Sequence, residues 1–130
     1  MYLYSMLAGV ATSLVFSLFS LIGGILIFYV LPENHYNISW LLNSVLFISP
    51  FLGGFTAGWL VKRRGWIHGG WIGLIYGLVV IILRMLLFGA INFFPLTLFR
   101  DFCLGCIGGI CGVNGALYYR RRKEYEMEGF

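Results

Sequence analysis

An all-α integral membrane fold, one bundle of four transmembrane helices with both termini on the cytoplasmic side, is what this sequence predicts. Three observations carry the prediction. Charged residues make up only 11% of the chain and the mean hydropathy is +0.89, whereas soluble domains carry ~25% charge. The apolar residues fall into four runs, 3–31, 38–61, 67–92 and 102–119, each near or above the ~20 residues that cross ~30 Å of hydrocarbon. Most of the basic residues lie in two clusters, between the second and third runs and after the fourth, which one orientation places on the same side.

The first run has no basic segment ahead of it and exceeds the ~7–15 apolar residues of a signal peptide, so it reads as a retained helix. It is also longer than the hydrocarbon core is thick, and must tilt or project at one end. In the second run Pro50 should free a carbonyl and bend the helix, with Gly53 and Gly54 easing the bend. The third run ends at "NFFPLTLFRD", residues 92–101, where Pro95 should separate it from an outer interfacial segment. The fourth is followed by a short cytoplasmic tail, 120–130. Short connections make sequential helices antiparallel neighbours, so residues 1–130 form one membrane domain.

Lys62, Arg63 and Arg64 lie between the second and third runs, and Arg120, Arg121, Arg122 and Lys123 follow the fourth. These are seven of the nine basic residues, which places that side in the cytoplasm. Trp59, Trp66, Trp71, Tyr118 and Tyr119 crowd the same side, and Tyr29, Tyr36 and Trp40 the other, as an aromatic belt does. The two basic clusters suit anionic lipid head groups. Nucleic acid is excluded as a partner class, because Glu124, Glu126 and Glu128 follow at once and no base-reading module is present.

Within lipid, helices associate through close backbone approach, and small residues four apart clear a groove for it. Gly65, Gly69, Gly73 and Gly77 form such a groove on the third helix, Gly54 and Gly58 on the second, and Gly108 and Gly112 with Ala116 on the fourth. The first helix carries Ser5, Gly9, Ser13 and Ser17. All four stripes fall mainly in the cytoplasmic half, while Phe and Leu fill the outer half. The expectation is a tapered bundle, tight at the cytoplasmic end.

The runs "GGFTAGWL" (53–60), "GWIHGG" (65–70) and "GLIYG" (73–77) resemble the YrzE-like family of small four-helix bacterial membrane proteins. The resemblance covers nearly the whole chain as far as Tyr119. It implies a bacterial cytoplasmic membrane location and brings no activity or functional residue with it.

An ionisable residue within a span is a functional candidate, since its burial costs ~2.5–3.5 kcal/mol even on insertion scales. Arg84 is the clear case, ~9 Å outside the midplane at about 1.5 Å per residue. It should snorkel outward, pair with Asp101 at the start of the fourth helix or with Glu33, or attract an anion. Cys103 and Cys106, in "CLGC" near the outer start of the fourth helix, and Cys111 read as small packing residues more than as redox or metal groups. His35 and His68 fall on opposite sides of the membrane and complete no zinc site with them. Asn43, Thr56, Tyr76 and Asn114 are candidates for hydrogen bonds between helices.

No acid, base, nucleophile or metal-ligand set converges on one face, so no catalytic, cofactor-binding or metal residue is assigned. The sequence favours a non-enzymatic accessory or self-assembling membrane subunit, with a homo-oligomer or a larger membrane protein as partner. The alternative is a small dimeric channel or transporter with Arg84 near the outer side of its pathway.

Overall fold

The structure, a computed structural model, describes residues 2–30, 38–89 and 95–129. Glu33, His35, Tyr36 and Asn92 lie outside the described residues. Four helices follow in order: α1 (Tyr2–Val30), α2 (Ile38–Val61), α3 (Gly65–Phe88) and α4 (Pro95–Glu128). All four are long and apolar enough to cross a membrane. A helix is what such runs must form there, because lipid offers no partner to an open backbone N–H or C=O.

The α2–α3 link is only Lys62 to Arg64. Lys62 adopts a left-handed conformation, φ 56°, and its N–H donates to the Gly58 carbonyl at 3.0 Å, which closes the end of α2. Arg64 is also left-handed, φ 45°, and its carbonyl accepts from Ile67 N–H at 3.2 Å as α3 begins. Each of these side chains costs about 1–2 kcal/mol relative to an ordinary backbone conformation. At the other end of α3 the same turn falls on Gly89, φ 61°, whose N–H donates to Met85 at 2.9 Å. Glycine carries no such penalty.

Helix α4 differs most from its apolar run, 102–119. It starts seven residues earlier, at Pro95, and continues to Glu128. Pro95 opens the helix instead of breaking the chain, because the first helical residue needs no N–H partner and suits the fixed φ of proline. At the far end Arg, Lys, Glu and Met favour the helix, and two ion pairs one turn apart add to it, Arg120–Glu124 at 3.3 Å and Arg122–Glu126 at 3.8 Å. The segment after Tyr119 is therefore a helical extension as far as Glu128.

Helices α2 and α3 both pack along α4, and α1 packs on α2 and, less, on α3; among the described residues α1 does not touch α4. On the α2 side a Cβ added to Gly54 or Gly58 would run into the carbonyl oxygens of Gly105 and Gly109. On the α3 side, Cβ atoms at Gly69 and Gly65 would run into those same two carbonyls, and one at Gly73 into that of Asp101. The numbers rise together in the α2–α4 contacts and oppose in the α3–α4 contacts, so α2 runs parallel to α4 and α3 antiparallel. Gly108 and Gly112 meet the carbonyls of Phe51 and Phe55. Gly9 of α1 faces Gly53 of α2, whose carbonyl oxygen lies 2.8 Å from an added Cβ.

Burial follows these contacts. In α3 every buried residue lies between Gly65 and Gly77, and Ile82 to Phe88 are all exposed. In α1, Ser5, Gly9 and Ser13 are buried and Ile25 to Val30 are exposed. The link 62–64 and the basic end of α4 share one end of the bundle: the Trp59 and Tyr119 rings lie 6.0 Å apart, and a Cβ on Gly65 would meet the Val113 side chain at 2.5 Å.

Three outcomes are expected. Gly109→Ala, and Gly105→Ala beside it, should lower stability in detergent unfolding titrations by about 1–3 kcal/mol, the scale of overpacking. Gly23→Ala should be neutral or better, since nothing lies within 4 Å of the added carbon. Lys62→Gly should raise stability by about 1 kcal/mol by removing one strained side chain; an unchanged midpoint would show that the link is not strained.

Candidate functional site: an ion pair halfway along the bundle

Among the described residues, the charged side chains that the bundle draws inside are those of Arg100 and Asp101. Helix α3 has 24 residues, ~36 Å at the usual rise, and its midpoint falls between Tyr76 and Gly77. The Asp101 backbone faces Gly73, and its Oδ2 lies 3.2 Å from a Cβ added to Gly77. On α2, Gly54 faces Gly105 one turn further along, which sets Asp101 level with the buried Pro50. Asp101 therefore lies near the middle of two spanning helices, deeper than the outer start of a helix beginning at residue 102. The reason is the early start of α4 at Pro95.

Asp101 is held by its neighbour. Arg100 Nε and Nη2 both donate to Asp101 Oδ1, at 3.1 and 2.9 Å. The guanidinium carbon sits 4.5 Å from the centroid of the Phe47 ring on α2, a cation–π distance. The Asp101 side chain is 6% exposed and that of Arg100 28%, so the carboxylate is interior and the cation lies in the α2–α4 groove. Together the pair is neutral, which makes its depth tolerable where a lone charge is costly.

Arg84 is not part of this constellation. It is exposed on α3 within the stretch that its neighbours leave uncovered, four residues from the helix end at Phe88. Asp101 takes Arg100 as partner, and the pairing of Arg84 with Asp101 suggested by the sequence is not formed; Glu33 lies outside the described residues. Arg100 escaped notice because counting apolar residues left it in a loop. Treating Pro95 as a helix start would have brought Arg100 and Asp101 into the span together.

Other polar candidates lie apart. Thr56 Oγ1 is 2.9 Å from Thr12 Oγ1, joining α1 and α2, and Thr12 was not foreseen. Asn43 and Asn114 are exposed and Tyr76 is buried. The three cysteines are free thiols; Cys106 packs against Gly70, its Sγ 2.8 Å from an added Cβ, which sets it well inside the span. His68 Nδ1 lies 3.2 Å from the Arg64 carbonyl. Among the described residues no three His, Cys, Asp or Glu side chains gather as metal ligands.

The chain is 36% identical over 86 residues to the uncharacterized membrane protein YrzE of Bacillus subtilis (strain 168), an alignment that covers 65% of this chain and 56% of the relative. The match thus spans just over half the length of that relative. No solved structure matches. Residues 2–113 match the model of a family described as protein of unknown function, DUF3792, a match that stops short of Arg120 and the rest of the basic extension. A multi-pass membrane protein of four apolar helices, the chain belongs to the DUF3792 family.

Proposed function

We propose that the protein is a small non-enzymatic subunit of the bacterial cytoplasmic membrane, which works by assembling with copies of itself or with a larger membrane protein. The glycine columns of α2, α3 and α4 serve as its internal packing seams. Both termini and the basic end face the cytoplasm, following the positive-inside rule. Lys62 to Arg64 and Arg120 to Lys123 there attract anionic lipid, at about 1 kcal/mol per basic residue near the surface.

One observation carries this reading. The contacts of Gly54, Gly58, Gly65 and Gly69 with Gly105 and Gly109 leave no room for a methyl group, still less for a hydrated ion, between α2, α3 and α4. A single chain offers no conduit there. Because the seams face inward, the surfaces left for partners are the outer faces of the helices, where large apolar residues such as Phe19 on α1, Leu86 on α3 and Ile107 on α4 are exposed. The exposed Arg84 favours a second reading, a dimer that conducts or transports along α3.

The test is the mass of the complex extracted gently from native membranes through a tag on the exposed end of α4. A defined complex well above the 14.7 kDa of one chain is expected. A different protein in it supports an accessory subunit, and a homo-oligomer supports self-assembly. In the latter case Arg84→Leu should leave the oligomer intact, and ion flux that it abolishes would favour the channel. A monodisperse single chain in both detergent and nanodiscs would overturn the proposal.

A further inference from the structure

We propose that Arg100 binds an oxyanion at mid-membrane depth through the free end of its guanidinium, in the groove between α2 and α4. A guanidinium has five N–H donors arranged as two forks. Asp101 Oδ1 occupies the fork formed by Nε and Nη2. The second fork, Nη1 with the remaining N–H of Nη2, meets no acceptor among the described residues.

That second fork is at the surface. Among the described residues no buried side-chain nitrogen or oxygen lacks a hydrogen-bond partner, so Nη1, which has none, is accessible. Its direction is fixed as well, since Asp101 holds one edge of the guanidinium and the Phe47 ring lies 4.5 Å from its centre. A planar fork held this way matches two oxygens of a phosphate, as a flexible ammonium does not. The surroundings supply the demand: hydrocarbon offers nothing to an open donor, so a group that brings its own acceptor gains what water gives elsewhere. Arg84 lacks these features, being exposed close to a helix end where it can snorkel to the interface.

A phosphate can come from two sources, a phospholipid head group drawn down the groove or a free inorganic anion. The experiment compares the full chain with Arg100→Gln/Asp101→Asn, which replaces the ion pair by neutral amides of similar shape, and with Arg84→Gln; circular dichroism verifies the helix content of each. Native mass spectrometry of protein extracted from phosphatidylglycerol and phosphatidylethanolamine bilayers counts retained phospholipid. Thermal unfolding of delipidated protein is followed with and without inorganic phosphate.

Phospholipid retention falling about tenfold or more in the double variant, the scale of a charge-assisted contact, but not in Arg84→Gln, identifies a lipid site. A phosphate-dependent rise in the unfolding midpoint of the unaltered chain, lost in the double variant, identifies a free-anion site. If neither quantity differs between the unaltered chain and the double variant, the proposal is overturned. Should the double variant not fold, Arg100→Lys decides: it keeps the charge and loses the fork, so unchanged retention and an unchanged phosphate response overturn the site equally. These readouts do not depend on assembly state, so the subunit reading and this site can fail separately.

Discussion

Three backbones meet at Gly105 and Gly109, and the rest of the bundle is arranged around that meeting. Each of these two carbonyls lies against one glycine of α2 and one of α3, so α4 is the shared wall of both neighbours. In hydrocarbon there is little hydrophobic drive to bring helices together, and the available attraction is dispersion between surfaces that touch. Contact this close multiplies such small terms. It also sets the axial register of α4, and with it the depth of every side chain that helix carries.

Depth is where the chemistry enters. The register that brings Gly69 to Gly105 also carries Asp101 down to Gly77, where the absence of a side chain on α3 makes room for a carboxylate. A charge so placed needs a partner on the same helix or an adjacent one. Arg100 supplies it by reaching back from the next position and resting on Phe47. One glycine column thus fixes both the helix contact and the location of the ion pair.

Much of this was legible in the residues. Hydropathy alone marks four spans, but the α4 glycines that meet both neighbours are Gly105 and Gly109, whereas the stripe read from spacing by four is Gly108 and Gly112. What escaped was the beginning of α4. Pro95 reads as a break when it follows an apolar helix, yet proline is also a favoured first helical residue, and local sequence does not separate the two. With Pro95 taken as a break, Arg100 drops out of the span and Asp101 moves to its edge, leaving Arg84 as the apparent intramembrane charge. The left-handed Lys62 and Arg64 were hidden for a similar reason, because a cluster of basic residues announces which side it faces and not the backbone conformation it adopts.

The shortness of the link from Lys62 to Arg64 has a consequence for how the helices can move. With three residues between the end of α2 and the start of α3, and the Lys62 N–H already committed to Gly58, the connection has almost no slack. Helices α2 and α3 therefore cannot separate at this end, and they move as one hairpin about the turn. The glycine faces of that hairpin form a cleft for α4, the helix whose depth the cleft determines.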